Sequence, residues 1–286
     1  MSNAFGRVAY GLTTAAIVAV LACSSAWAKP VVVFDESHGQ KFLVGGSGPL
    51  DLSTLGSLFR EHGWEVNTSQ TALADDALAK VDAIVVSGAF MPITPPEIDA
   101  VVRFLDRGGR LCVMLHIGPP VDGLLYRLDV AISNGVIRER ENVIDGDPLN
   151  FRVTRLGEHP LTREVGAFAV YGAWALQSLG SNPEVLARTS PSAWVDLNRD
   201  GALGGGDAVQ SFGVVLAGTR GKGRFAVFGD DAVFQNRFLV GGNLTLGKNL
   251  VAWLAGAPAS PGDPGRQAEA PVLRPPGPLA LGPARR

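Results

Sequence analysis

The densest chemistry in this 286-residue chain lies at residues 196–207, which read Asp-Leu-Asn-Arg-Asp-Gly-Ala-Leu-Gly-Gly-Gly-Asp. Oxygen-bearing side chains fall at loop positions 1, 3, 5 and 12, with glycine at position 6. That is the spacing by which a single loop wraps a calcium ion. Asp196, Asn198 and Asp200 would supply side-chain oxygens, Ala202 its backbone carbonyl, and Asp207 would close the shell. Gly201 permits the sharp turn, and Leu203 is placed to pack inward. The competing reading is an ordinary Asx-rich surface turn, which the same residue types favour. Position 12 is Asp where helix-flanked loops use a bidentate Glu. The flanks, Ser-Ala-Trp-Val (192–195) and Ser-Phe-Gly-Val-Val-Leu (211–216), have the apolar, β-branched character of strands. The expected ligand is therefore a structural Ca2+, held between two strands.

A second set of residues could perform acid–base or metal chemistry. Asp35, Glu36 and His38 follow one apolar run, His116 another, and Asp230 with Asp231 a third. Two histidines and several carboxylates at one sheet edge could bind a metal or support hydrolysis. For each the simpler role is structural: Asp35 capping a turn, His38 bonding its own loop, His116 packed at a strand end.

The elements that would position these groups alternate. Val31-Val32-Val33-Phe34 is a continuous apolar run, as in a strand buried on both faces. Leu52, Leu55, Leu58 and Phe59 share a helical face, and Gly63-Trp64-Glu65-Val66 opens a second strand. Ala83 to Gly88 gives a third. Pro95-Pro96-Glu97 begins a helix whose apolar stripe is Ile98, Val101, Val102 and Leu105, ended by Gly108-Gly109. Arg110 to Leu115 gives a fourth strand. Candidate strands follow at 151–155, 166–177, 184–189, 211–219 and 223–229, then a helix over 243–255. Such alternation implies right-handed crossovers. The expected fold is α/β: a doubly wound, mostly parallel, flavodoxin-like sheet with a β-rich C-terminal extension. In open parallel sheets ligands gather at the C-terminal strand ends, where Asp35, His38, His116, Asp230 and Asp231 would lie.

At the N-terminus, Arg7, the apolar stretch from Val8 to Cys23 and Ala26-Trp27-Ala28 form the pattern of a signal peptide over 1–28. A periplasmic or secreted mature chain is expected, without a transmembrane span; the alternative is a lipoprotein acylated at Cys23. Export suits calcium, since extracytoplasmic modules use sites of roughly 10⁻⁴–10⁻³ M. Of the two cysteines, only Cys112 would remain, in an apolar run that reads as core. A net charge of −2 and a pI near 6.1 argue against nucleic acid as a partner. Residues 257–286, rich in Pro, Ala, Gly and Arg, lack periodicity and read as a disordered tail. The domain expected is 29–256. Gly45 to Gly48 reads as a flexible loop, Arg138 to Glu141 as a solvated strand or turn.

The ordered segments Val-Val-Val-Phe-Asp-Glu-Ser-His-Gly (31–39), Gly-Trp-Glu-Val, Ala-Ile-Val-Val-Ser-Gly and Gly-Gly-Arg-Leu-Cys-Val resemble the class I glutamine-amidotransferase-like superfamily. With Gly-Lys-Gly-Arg-Phe-Ala-Val-Phe-Gly-Asp-Asp (221–231) and Asn-Leu-Val-Ala-Trp-Leu (249–254), they are similar to its non-enzymatic branch in gliding-motility and intraflagellar-transport proteins. An active member carries a nucleophilic Cys at the turn after a central strand. Here that turn reads Leu115-His116-Ile117-Gly118-Pro119-Pro120, and Cys112 lies too early. The resemblance thus implies the amidotransferase-like fold without glutaminase chemistry. The function expected is a non-catalytic ligand-binding or interaction domain whose partner is an envelope protein, a peptide or a carbohydrate. The alternative is a periplasmic hydrolase using the His/Asp edge.

Overall fold

The computed structural model describes residues 29–256. The expected leader 1–28 with Cys23 and the tail 257–286 lie outside them.

The first half follows the alternation in the sequence: β1 (Val31–Asp35), α1 (Ser53–Glu61), β2 (Glu65–Ser69), β3 (Ala83–Ser87), α2 (Pro95–Asp106) and β4 (Arg110–Met114). A five-residue helix, α3 (Asp122–Tyr126), then leads into β5 (Val130–Arg138). The second half is almost all strand: β6 (Val143–Ile144), β7 (Asp147–Val153), β8 (Arg155–Leu156), β9 (Phe168–Tyr171), β10 (Trp174–Ser178), β11 (Glu184–Arg188), β12 (Trp194–Val195), β13 (Ala208–Val209), β14 (Gly213–Arg220) and β15 (Gly223–Phe228). The last described helix is α4 (Gly241–Ala255).

One large mixed sheet runs β13-β12-β5-β10-β14-β15-β4-β3-β1-β2, with β11 branching from β14 and β8 from β11. Only β15-β4-β3-β1-β2 run parallel. The other pairings are antiparallel, so the mostly parallel, doubly wound sheet expected from the sequence forms only one side of the molecule. The reason is local. β14 and β15 are joined by the tight turn Gly221-Lys222, with Gly221 at φ +57°, so the chain returns as a hairpin and not through a helix. A separate three-stranded sheet, β6-β7-β9, is also antiparallel. The single strand expected over 166–177 is broken at Gly172 (φ +101°), which sends β9 to the small sheet and β10 to the large one.

The parallel strands feed two apolar clusters. Val32, Phe34, Val85, Met114 and Phe228 join Leu55, Phe59, Leu246 and Leu250 of α1 and α4. Ile84, Val86, Leu111, Val113 and Val227 join Ile98, Val101 and Leu105 of α2 and Leu124 and Leu125 of α3. Residues alternating along each strand supply the two clusters, as the period of two requires. Full burial of a side chain such as Phe59 contributes about 1.5–3 kcal/mol. Cys112 belongs to the first cluster, fully buried in β4, where burial pushes its thiol pKa up.

β5 was not among the strands expected from the sequence; its centre, Ser133-Asn134-Gly135, carries residue types that favour turns. Ser133 Oγ mends the irregularity by donating to the Gly135 carbonyl and accepting from Ala175 N. Two loop readings are also corrected. Gly46 and Gly48 do not lie in an open loop: the chain wraps the Asp51 carboxylate, which accepts from Leu43 N and Gly48 N. Glu139 is not solvated. It is buried, and it accepts from Ser190 N and Oγ and from the backbones of Arg140 and Glu141. Among the described residues no helix is long and apolar enough to cross a membrane.

Candidate functional site

The C-terminal edge of the parallel strands holds two separate charged groups. β1 ends at Asp35, and the chain turns at Gly39 (φ +73°), folding His38 back over the strand end. Asp35 Oδ1 accepts from Ser37 N and Oγ, while Oδ2 meets His38 Nδ1 at 2.7 Å and Gln40 Nε2 at 2.6 Å. The other ring nitrogen, Nε2, lies 3.2 Å from Glu97 Oε1. Glu97 stands in the first turn of α2 and also accepts from Thr94 N, Thr94 Oγ1 and Leu73 N.

With a carboxylate at each ring nitrogen, the doubly protonated imidazolium satisfies the whole group. Burial alone would lower the His38 pKa, but the hydrogen bond and charge of Asp35, with Glu97 beyond, hold it above the ordinary value. Burial likewise works against the Glu97 carboxylate, yet the bonds from Thr94 and Leu73 and the His38 charge bring its pKa down to about 2. Both nitrogens of His38 are occupied and its side chain is 5% exposed, so this group fastens β1 to α2.

The second group is open. His116, just past β4, places Nδ1 3.1 Å from Asp231 Oδ1, with the imidazole 40% exposed and the carboxylate 1%. Asp231 N donates to Leu115 O, and the Trp174 indole donates to His116 O, so both backbones are fixed. Phe42 and Phe90 flank the imidazole, with ring centroids 5.2 and 5.3 Å away. The Asp231 hydrogen bond, reinforced by the charges of Asp231 and Asp230 against partial burial, raises the His116 pKa. Asp231 Oδ2 is buried without a partner among the described residues, close against Gly88. Burial also raises the Asp231 pKa, with His116 opposing it. Asp230 faces elsewhere: its oxygens accept from Tyr171 N and Ala232 N, and burial together with Asp231 pushes its pKa up to about 7.

The structure therefore pairs Asp35 with His38 and His116 with Asp231, and among the described residues no hydrogen bond or ion pair joins one pair to the other. The segment at Phe90 and Met91 touches both: its two amides donate to His38 O, and the Phe90 ring reaches His116. His116–Asp231 can polarise a water or accept a proton at the exposed ring edge. Glu97, which completes the His38 group, was missed. Its one signal was Thr94-Pro-Pro-Glu97, a helix-cap spacing that announces a cap and not a histidine partner.

The 196–207 loop closes between β12 and β13, between extended flanks as expected. Its acids bind the loop's own amides. Asp196 accepts from Arg199 N and Gly201 N, Asp200 from Ala202 N, and Asp207 from Leu197 N and Gly204 N. Asn198 Oδ1 accepts from Asp200 N, and its amide donates to Asp200 Oδ2. Arg199 (φ +63°) and Gly201 (φ +78°) supply the left-handed turns. Leu203 does not pack inward: it is 43% exposed. Among the described residues no three His, Cys, Asp or Glu side chains converge as a ready metal shell.

No family model matches the sequence. No curated protein matches it either. Solved structures do. The mmIFT52 N-terminal domain is similar at a TM-score of 0.64 and 16% identity, over 78% of this chain and 96% of that one. A cytoplasmic protein from Salmonella typhimurium LT2 is similar at 0.53 and 16%, over 79% and 99%. A ThuA-like protein from Bacteroides uniformis is similar at 0.50 and 15%, over 79% and 91%. The likeness is one of fold, and the fold is the amidotransferase-like one that the sequence resemblance implies.

Proposed function

We propose that this chain is an exported, non-catalytic ligand-binding or protein-interaction domain on an amidotransferase-like fold, steadied by a calcium-binding loop at 196–207. One observation carries the non-catalytic reading. At the turn after β4, where that fold's enzymes keep a nucleophile, stand Leu115, His116, Ile117 and Gly118, while Cys112 is sealed in the strand. A fully buried thiol with a raised pKa reaches neither a base nor a substrate. Calcium is supported by the donor set of Asp196, Asn198, Asp200, the Ala202 carbonyl and Asp207. Each carboxylate oxygen that accepts an amide proton keeps a second lone pair, so calcium can draw these oxygens together without undoing the turns. Export is supported by the pattern of residues 1–28.

Calorimetric titration of the mature chain with calcium, with melts in calcium and in chelator, tests the metal. Saturable heat and a raised melting temperature, both lost in Asp200→Ala, are expected; absence of both removes calcium from the proposal. N-terminal sequencing of the exported chain tests cleavage after Ala28.

A second reading, a hydrolase, is favoured by the half-exposed His116 paired with buried Asp231. A panel of ester, amide and glycoside substrates turned over by the wild type and not by His116→Ala would replace the first reading.

A further inference from the structure

The antiparallel half of the molecule contains an arrangement that stability does not explain. β8 and β11 pair so that Arg155 and Arg188 stand directly opposite each other. Like charges at directly opposed positions destabilise a strand pair. Both arginines line a cavity of about 300 Å³, which Arg152, Thr154, Ser190 and Asn142 also line. One acid reaches it, Glu141, and that carboxylate accepts from Ser192 Oγ. Among the described residues none of the three arginines is in an ion pair. Three guanidinium groups against one carboxylate leave an excess of positive charge in a concave site, on a chain whose net charge is −2.

Arg188 also lines a second, larger cavity of about 460 Å³, at the fork where β11 branches from β14 beside β10. Its floor is apolar and buried, formed by Ala175, Val195 and Phe212. Its exposed rim carries the amides of Asn134, Gln177 and Gln210, and no acid lines it. An apolar floor with an amide rim suits a small hydroxylated ring, which offers a C–H face below and hydroxyls at its edge. Arginine forks suit a tetrahedral oxyanion.

We propose that the two cavities form one binding site for a sugar carrying a phosphate or sulfate group. The anion sits among Arg152, Arg155 and Arg188, and the sugar ring lies over Phe212. The assignment rests on the reading of this chain as a ligand-binding domain, and it names the class of ligand and the place. Free sugar esters and the phosphate or sulfate groups of a polysaccharide share this chemistry.

The test is calorimetric titration of the mature chain with glucose 6-phosphate, glucose 6-sulfate, inorganic phosphate and glucose, with a sulfated oligosaccharide as the polymer arm. At least one ester should bind ten-fold or more tightly than glucose and than inorganic phosphate, and weaken as salt rises. A preference for the oligosaccharide over the free esters would identify a polymer as the source. Arg155→Gln and Arg188→Gln should each weaken ester binding ten-fold or more. Arg155→Gln should also raise the melting temperature of the unliganded protein, because it removes a repulsion. A lowered melting temperature in that variant would show a structural arginine and overturn the assignment. Ester binding unchanged in both variants would remove the site while leaving a ligand-binding domain standing. No heat with any probe would overturn the anionic site; the calcium titration then judges the broader reading by itself.

Discussion

At the scale of single residues, the two histidines at the sheet edge have opposite fates, and the difference makes a prediction. His38 is consumed by Asp35 and Glu97, and its removal leaves two buried carboxylates facing each other. His38→Ala should therefore cost about 3–5 kcal/mol in urea unfolding. His116→Ala, at a half-exposed site, should cost far less. The pH dependence follows from the same groups. His38 and His116 are held above the ordinary histidine value. Their stabilisation is full below about pH 6.5 and is lost as pH rises through the folded values. Asp230, near 7, and Asp231 resist ionisation in the folded state, so both add a penalty as pH climbs above the ordinary carboxylate range. Glu97 acts in the opposite limb: its stabilisation is present above about pH 4.5 and is lost as pH falls toward about 2. Thermal melts from pH 3 to 9 should peak in the mildly acidic range and decline above neutrality. A melting temperature that climbs between pH 6 and 8.5 would contradict this account of the edge. The sequence placed Asp35, His38, His116 and Asp231 at strand ends correctly. Which partners which is decided by the loops at 36–40 and 88–94, whose course no periodicity records.

At the scale of elements, α4 shows why some packing is invisible in a sequence. Gly242 is the second residue of the helix, and a Cβ there would collide with the Ala167 carbonyl just before β9. Asn243 next to it completes the junction, accepting from Ala169 N and donating to Ala169 O and Val233 O. Gly242→Ala should separate the helix start from the small sheet and lower stability by more than about 2 kcal/mol. In the exposed interior of a helix the same change would gain up to about 1 kcal/mol. Urea unfolding distinguishes the two by sign. Glu139 is the second case. It anchors Ser190 to the end of β5, and Glu139→Ala should cost about 2 kcal/mol by leaving the buried Ser190 amide unpartnered and its hydroxyl with Ser192 alone. In sequence Glu139 lies within Arg-Glu-Arg-Glu, and charge alternation gives no sign that one of the four turns inward. β1, β3, β4 and β15 were legible because burial on both faces leaves apolar runs, whereas the polar edge strand β2 was signalled only at its start by Gly63-Trp64-Glu65-Val66. β5 was not, since its Ser-Asn-Gly centre is mended by a side-chain hydroxyl that composition cannot foresee.

At the scale of the whole molecule, the 196–207 loop proposed to bind calcium and the arginine-lined cavity lie in the same antiparallel half. Leu197 and Ala208, at either end of the loop, also line the larger cavity. The 196–207 loop and Arg188 thus border the same cavity, so a cation that tightened the loop would act on a wall of the proposed sugar-ester site. The thermodynamics can be bounded. An extracytoplasmic calcium site has a Kd of roughly 10⁻⁴–10⁻³ M, so 10 mM calcium stands at about 10 to 100 times Kd. Linkage then adds about 1.4–2.7 kcal/mol to the folded state. For a domain of roughly 150–250 residues each kcal/mol raises the melting temperature by about 2–4 °C, which predicts a rise of about 3–11 °C. If calcium also tightens the cavity wall, reciprocity requires the sugar ester to tighten calcium by the same factor. Titrating calcium with and without saturating ester measures that factor directly. A ratio above one places loop and cavity in one coupled device, whereas a ratio of one makes the calcium loop a clasp for the β12–β13 hairpin and nothing more.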